Sequence, residues 1–404
     1  MNGSGTFLAR WYLWCFAVQF ILVYPVYLLM MEDAGLAPAA IAALLVAWTS
    51  TAFLLEVPSG ALSDRFPRHR VLAAGVAMKA VGFALWWTSG DAPGFLAGFL
   101  CWGAGSALAS GTREALLFDA LTVLGRQADF AAVWGRCRAI MILGGTLALA
   151  LGGALAENGY DAVLAASAAA TFASALLALG FACERAPADA DDDADARSSG
   201  DGSTARGYFD LLRSGLLEVL GAPVLRAIVV ATAATVGIAD SYEEFVSLFL
   251  HERGAGLTAV GLRFALIYLG FVAGSALAGR LAPARGMAVT RSAMLWAMAG
   301  GGLLVVAAVT RDAAALLALA ASFFAWGVYD VRLAADLQHA MSGRARATVT
   351  SMAAFAQTGT NIATYLLLGL VAQVTDWQTA TLTAGLTLAI ASAALLLRRS
   401  PAAV

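Results

Sequence analysis

Gly60-Ala61-Leu62-Ser63-Asp64-Arg65-Phe66-Pro67-Arg68-His69-Arg70 stands between two long apolar runs, near 40–60 and 71–89. An arginine or aspartate at the centre of a membrane helix costs about 2.5–3.5 kcal/mol on insertion scales, so a stretch this charged does not cross hydrocarbon. Each flanking run has the ~20 residues that a helix needs to span a ~30 Å core. The stretch therefore reads as a short loop at a membrane surface, joining two spans. Its arginines hold it at the lipid headgroups. A carboxylate such as Asp64 is suited to bond the exposed amides of a helix N-terminus. Gly60 reads as the residue that lets two helices approach closely at a tight turn.

The same alternation continues along the chain. Apolar spans fall near 11–31, 40–60, 71–89, 94–118, 136–156, 160–183, 225–250, 258–280, 287–309, 312–335, 346–370 and 378–397. Of 404 residues, 60% are hydrophobic and only 13% charged, against roughly 25% in a soluble domain. Helices are the expected solution, because each satisfies its own backbone hydrogen bonds. The strict alternation of a membrane barrel is missing from these runs. The reading is an all-α membrane protein of twelve transmembrane helices. Residues 1–10 run directly into the first span, which reads as a retained helix and not a removed signal.

Composition also excludes function classes. A net charge of −2 favours no nucleic acid partner. Cys15, Cys101, Cys137 and Cys183 form no C-x-x-C pair and read as small buried hydrophobes. His69, His251 and His339 are scattered without ligand spacing, so no metal or other cofactor is expected. Lys79 is the only lysine and belongs to no phosphate-binding Gly-x-x-x-x-Gly-Lys loop, which excludes a nucleotide-driven pump of that type.

Arginine sets the orientation. With the N-terminus cytoplasmic, the inner loops carry Arg65, Arg68, Arg70, Arg126, Arg136, Arg138, Arg285, Arg344 and others, while the outer loops hold Arg253 and Arg311. The positive-inside rule then places both termini in the cytoplasm, with the chain in the inner (plasma) membrane. Residues 184–221 interrupt the spans. Asp191, Asp192 and Asp193 lie in a stretch of Asp, Ala, Ser and Gly that cannot bury a core. Tyr208, Phe209, Leu212, Leu216 and Leu220 then suggest an amphipathic helix on the membrane surface. This linker divides the chain into six-helix bundles at 1–183 and 222–404. The halves read as copies: Ser275-Ala276-Leu277-Ala278-Gly279-Arg280-Leu281 occupies the place of the quoted loop, with Gly279 where the acid stood. Asp330, Arg332 and Asp336 in the tenth span match Arg113, Glu114 and Asp119 in the fourth, and Arg332 and Asp336, at i, i+4, are expected to pair with each other.

The quoted loop resembles the signature between the second and third helices of the major facilitator superfamily, Gly-x-Leu-x-Asp-Arg-x-Gly-Arg followed by two basic residues. Gly60, Leu62, Asp64, Arg65, Arg68 and Arg70 match, with Pro67 in place of a glycine and His69 in place of a basic residue. The resemblance implies two pseudo-symmetric six-helix bundles that alternate access to a central site. It implies a conformational latch made of Gly60, Asp64, Arg65, Arg68 and Arg70, with Asp64 acting against the start of the eleventh helix near Ala345 and against Arg113. Drug and metabolite:proton exporters of the family carry a glycine signature in the fifth helix. Gly144, Gly152 and Gly153 fit it, but Ala148 and Leu149 replace its Gly-Pro pair. The resemblance also places the first, fourth, seventh and tenth helices around the substrate path. Gln19, Tyr24, Trp102, Trp326 and Tyr329 are then substrate-contact candidates, with Gln357 and Asn361 as further polar groups on the eleventh.

Ionisable residues inside spans mark function by default. Asp240, Glu243 and Glu244 lie at i, i+3 and i+4, on one face of the seventh span. Three ionised carboxylates this close repel one another, so at least one is expected to take up a proton readily. The cluster is the candidate site for protons, for a cationic group of the substrate, or for both. Glu56 and Asp330 are secondary cavity candidates. Lys79 reads as a snorkelling or paired residue. The function expected is a secondary transporter, acting as a monomer, that moves a small organic molecule in proton-coupled efflux. Proton-coupled uptake and a transport-inactive receptor are the alternatives. An intramembrane aspartyl protease is disfavoured because the order of its motifs is reversed around Asp240 and Tyr329-Asp330.

Overall fold

In the computed structural model, residues 2–181, 217, 219–281, 289–341 and 346–397 are described. The expected acidic linker and most of the amphipathic helix lie outside them, as does the expected latch partner Ala345. The described residues form helices α1 (Asn2–Gln19), α2 (Tyr27–Asp33), α3 (Pro38–Arg65), α4 (Arg68–Ser89), α5 (Ala92–Val123), α6 (Phe130–Ala156) and α7 (Tyr160–Leu179). There follow α8 (Pro223–Glu252), α9 (Leu257–Leu277), α10 (Val289–Val309), α11 (Asp312–Ala340), α12 (Arg346–Val374) and α13 (Trp377–Leu397). Ten of these segments are long and apolar enough to cross a membrane. The other two expected spans are the first, which is broken, and α12, which carries more polar residues.

The break corrects the expectation of one helix over 11–31. The chain leaves the helix after Gln19 and re-enters it at Tyr27. Pro25 has no N–H and its ring clashes with the preceding turn, which is sufficient to end the helix. An amide freed inside hydrocarbon needs a new partner. Val23 N finds it in the hydroxyl of Ser167 on α7, at 2.9 Å. The α6 helix seats Gly152 against this break, where a Cβ would stand 1.9 Å from the carbonyl oxygen of Leu22 and 2.9 Å from Cγ of Pro25. The fifth-span glycine is thus spent on close approach to the first span.

The helices assemble into two units, Met1–Tyr27 with Ala47–Tyr208, and Leu28–Val46 with Phe209–Val404. In the first, α4 packs on α5 and α7, and α1 on α6. In the second, α10 packs on α11 and α13, and α8 on α12. These are the same pairings six spans apart, so the repeat is one of packing as well as of sequence. The second unit also takes in α2 and the start of α3. Trp377 Nε1 donates to Glu32 Oε1 at 2.9 Å. Gly369 of α12 lies so close to α3 that a Cβ would stand 2.3 Å from that of Ala42.

Small residues set the spacing, as expected where lipid gives apolar side chains no reason to prefer one another. Gly274 of α9 faces the carbonyl of Phe324 on α11, with 2.0 Å available to a Cβ, and Gly327 of α11 faces the carbonyl of Phe271 with 2.3 Å. Adding side chains there forces the two backbones apart. Gly274→Val should cost about 3 kcal/mol or more, above the usual ~1–3 kcal/mol of overpacking, because the obstructing atom is backbone. Gly302→Ala, where nothing lies within 4 Å, should be neutral or stabilise by up to ~1 kcal/mol. Thermal unfolding of the two purified variants in detergent checks both.

Candidate functional site

Three helices of the second unit bring polar side chains together at one depth. Asp240 lies 17 residues into the 30-residue α8, Tyr329 17 residues into the 29-residue α11, and Asn361 15 residues into the 29-residue α12. At 1.5 Å per residue each is about 22–26 Å from its helix start, close to the middle. Asn361 Nδ2 donates to Asp240 Oδ2 at 2.9 Å. Ser241 Oγ donates to the Gly237 carbonyl at 2.8 Å and reaches the Asn361 carbonyl at 3.4 Å, tying α8 to α12 beside the carboxylate. Tyr329 is fully buried and its hydroxyl meets the Thr235 carbonyl at 3.4 Å. Asp330 acts electrostatically on Asp240 from α11. Glu243 feels both Glu244 and Asp240, and Glu244 is buried at 6% exposure. The structure thus brings together Asp240, Glu243, Glu244, Tyr329, Asp330 and Asn361.

Asn361 is the member whose importance the sequence understated. It is 8% exposed, and its Oδ1 has no partner among the described residues. That oxygen faces Gly237, where a Cβ would stand 3.0 Å away and would also press on Thr360 at 2.9 Å. Absence of a side chain at Gly237 therefore lets α8 close on α12 at this depth, one turn from a carboxylate.

The first unit gathers a different chemistry. Tyr24 stands in the break of the first span, and interrupted helices mark binding regions in transporters. Its ring meets Trp102 edge-on at 6.4 Å. Trp102 also touches Tyr27, Trp48, Phe83 and Trp86, at centroid distances of 5.9, 5.7, 5.2 and 5.6 Å. Trp86 satisfies its Nε1 on the Phe95 carbonyl at 3.0 Å, while Trp48 Nε1 is buried with no partner among the described residues. Trp48 is a candidate that the sequence reading missed. Its position on α3, outside the helices implied to line the path, concealed it. Gln19 is exposed at the end of α1, and Glu56 is exposed on α3. Gln357 is partly buried, one turn before Asn361. Trp326 is 7% exposed, and its Nε1 has no partner among the described residues. Lys79 lies with its stem against Gly105 of α5.

The latch residues are arranged differently from the expectation. Gly60 makes no close approach: it lies inside α3, exposed, with nothing within 4 Å of a Cβ. The reason is that α3 runs on to Arg65, so the turn falls at Phe66-Pro67, beyond the glycine. Arg68 is the organising residue. Its Nη1 pairs with Asp119 Oδ2 of α5 at 2.6 Å and reaches the Ala115 carbonyl at 3.3 Å, and its Nη2 is 3.8 Å from Asp64 Oδ1. Arg65 lies over the ring of Phe66 at 5.9 Å, and Arg70 is exposed. Arg113 lies over the Trp134 ring at 5.3 Å and reaches Met141 Sδ at 3.6 Å. In the second unit the expected pairing of Arg332 with Asp336 is replaced by bonds to α10. Arg332 Nη1 donates to Ser292 Oγ, and Thr290 Oγ1 to Asp336 Oδ2. Packing of α11 on α10 offers both groups partners across the helix pair, which a local i, i+4 pair does not hold together. Among the described residues no group of three His, Cys, Asp or Glu side chains is placed to hold a metal ion.

Asp119 keeps 8% of its side chain exposed and Asp64 keeps 76%. Asp119→Asn should cost about 3 kcal/mol, since it strands a partly buried arginine. Asp64→Asn, at an exposed pair, should cost less than ~1 kcal/mol. Denaturation midpoints of the two variants test the order.

The sequence profile of the Major Facilitator Superfamily matches residues 11–363. No curated relative matches the chain. Among solved structures, a bacterial homolog of the human lysosomal transporter Spinster, inward-facing and occupied, superposes with a TM-score of 0.76 at 13% identity, covering 98% of this chain and 97% of that one. The unoccupied form of that homolog gives 0.74 at 14% identity, covering 97% and 96%. The nucleoside transporter NupG gives 0.71 at 13% identity, covering 99% and 100%. At such identities the likeness is one of fold. Together with the profile match over most of its length, it makes the chain a multi-pass membrane transporter of the Major Facilitator Superfamily and not an enzyme.

Proposed function

We propose that this secondary transporter exports a small organic molecule in exchange for protons, with Asp240 as the proton-carrying group. The observation that carries the reading is a carboxylate at mid-span whose hydrogen-bond partner, Asn361, is uncharged. An ionisable group at this depth is costly and persists where it lines a passage. Asp330 on α11 and Glu243 on its own helix stand near it. Such a group is suited to take a proton on one side of the membrane and release it on the other. Export rests on the general resemblance to the drug and metabolite exporters of the family, while the fifth span departs from their signature, with Ala148 and Leu149 in place of its Gly-Pro pair. The arginine asymmetry supports cytoplasmic termini in the inner (plasma) membrane, with bundles 1–183 and 222–404 joined by a cytoplasmic linker at 184–221. In this reading Asp64 works as the conformational latch and the protein functions as a monomer.

In proteoliposomes, wild-type protein should move protons across the membrane when a transported compound is added against an imposed pH gradient. Asp240→Asn should lower this coupled flux by at least tenfold while leaving exchange of labelled substrate across equal pH. Coupled flux retained in Asp240→Asn removes Asp240 from the mechanism. A protein that catalyses neither flux nor exchange for any compound would be a receptor.

A further inference from the structure

Along the sequence Cys15 and Cys137 read as isolated small hydrophobes, but the fold makes them a pair. Both are free, 0% exposed and part of one core cluster of the first unit. Their thiols engage one another by a side-chain hydrogen bond between α1 and α6. The two helices meet here by backbone. Gly144 lies two turns after Cys137 on the same face of α6. A Cβ on it would stand 2.5 Å from the carbonyl oxygen of Phe16, the residue next to Cys15. Only helices this close are bridged by a disulfide. The surroundings of the pair suit an anion. Arg113 of α5 acts on both sulfurs. Its guanidinium is placed by the Trp134 ring at 5.3 Å and by Sδ of Met141, one turn after Cys137, at 3.6 Å. Trp11, also 0% exposed, has no hydrogen-bond partner for Nε1 among the described residues, and this N–H acts on the Cys137 sulfur. A cation and an N–H donor give a thiolate what water would otherwise supply, and the thiolate is the nucleophilic form of cysteine.

We propose that Cys15 and Cys137 are a redox-reactive pair that hydrogen peroxide converts to a disulfide tying α1 to α6. Cys137 is the attacking sulfur, because the Trp11 N–H is directed at it, and Cys15 is the resolving one. The Cys137 thiolate attacks one peroxide oxygen, the O–O bond breaks, and the leaving hydroxide takes up the proton that Cys137 gave off. The product is a sulfenic acid on Cys137. The Cys15 sulfur then displaces its hydroxyl, which leaves as water with the Cys15 proton, and the S–S bond forms. Two thiols and one peroxide become one disulfide and two waters, the sulfurs losing the two electrons that the peroxide gains. Burial selects the oxidant: peroxide is little larger than water, whereas glutathione and maleimides are too bulky to reach the pair. The bridge holds α1 covalently just before the break in the first span, where Gly152 of α6 already seats it. The proposal stands apart from the reading of Asp240 and uses no residue of the second unit.

The test treats purified full-length protein in detergent with hydrogen peroxide, then denatures it and counts free thiols by alkylation and intact mass. The chain has four cysteines, Cys15, Cys101, Cys137 and Cys183. Expected are loss of two thiols, a peptide linking Cys15 to Cys137 after digestion, and recovery of both thiols with dithiothreitol once the protein is denatured. The thermal midpoint of the oxidised protein should rise by ~5 °C or more, because the bridge closes a long loop. In Cys15→Ala the sulfenic acid on Cys137 should persist and be trapped by dimedone, whereas Cys15 in Cys137→Ala should react at least tenfold more slowly. Arg113→Gln should slow disulfide formation at least tenfold, and Arg113→Lys should restore most of the rate. Trp11→Phe, which removes the N–H and keeps a ring, provides the same test should Arg113→Gln not fold. The proposal is overturned if all four thiols survive peroxide, if Cys101 is consumed as fast as the pair, or if the linked peptide joins other cysteines. An unchanged rate in these variants, or equal trapping of Cys15 and Cys137, overturns the assigned roles of Arg113, Trp11 and the attacking sulfur.

Discussion

Hydrocarbon offers no hydrogen bonds, and this constraint governs each irregularity in the chain. A regular helix satisfies its own backbone, so every departure from it must bring a partner. Where the first span breaks, Ser167 receives the amide of Val23. Where α8 ends, Arg253 donates to the carbonyls of Ala308 and Thr310 at the end of α10. Where α13 begins, the Glu252 carboxylate accepts from the amides of Trp377 and Gln378, and Asp376 accepts from that of Thr379. The helices approach closely enough for these bonds because glycines such as Gly152 and Gly274 remove the side chains between backbones. Against that background, Asn361 Oδ1 and Trp48 Nε1, without partners among the described residues, are departures from the rule at the candidate sites, as Trp11 Nε1 is away from them.

The two units solve one structural problem with different chemistry. Each fixes the far end of its fourth span to the start of its third through an aspartate. In the first unit that is Asp119 with the guanidinium of Arg68. In the second it is Asp336 with the hydroxyl of Thr290, while the arginine, Arg332, turns to Ser292. The guanidinium–carboxylate contact joins two opposite charges, where the hydroxyl–carboxylate bond joins one charge and a dipole. The unit that carries the Asp64 loop thus joins these helices through an ion pair, and the one in which Gly279 replaces the acid joins them through hydroxyls. The halves are copies in packing but not in the energetics of their joints.

What could be read from the sequence follows from what is periodic or local. Apolar runs of span length located the helices within a few residues, and the Gly60–Arg70 loop identified the family. The carboxylates on α8 were visible because an ion in an apolar run is anomalous in one dimension. Three things were hidden. Gly60 was assigned to a turn because its loop is written as a unit, whereas α3 continues through it to Arg65. The break at Pro25 was overlooked because the residues around it are apolar enough to extend the span. The pairing of Asn361 with Asp240 joins residues 121 apart, and no local signal carries such a contact. Arg332 and Asp336 show the same limit in reverse: the local spacing was read as decisive, and packing on α10 supplied other partners.

The charge of the partner separates the structural carboxylates from the candidate working one. Asp119 is held by an arginine, and protonating it would strand a cation at the edge of the bilayer, so its ionisation is tied to the fold. Asp240 is held by an amide. Asn361 fixes where the carboxylate points without supplying the positive charge that would hold it ionised, and the neighbouring acids oppose that charge further. Position is therefore specified while the counter-charge is left open. A group arranged in this way gains least from remaining in one state, and a transport cycle requires a site of that kind, one that accepts and gives up its occupant at similar cost on the two sides of the membrane. A fixed cation in place of the Asn361 amide would hold the carboxylate in its charged state, and for that reason make a poorer carrier.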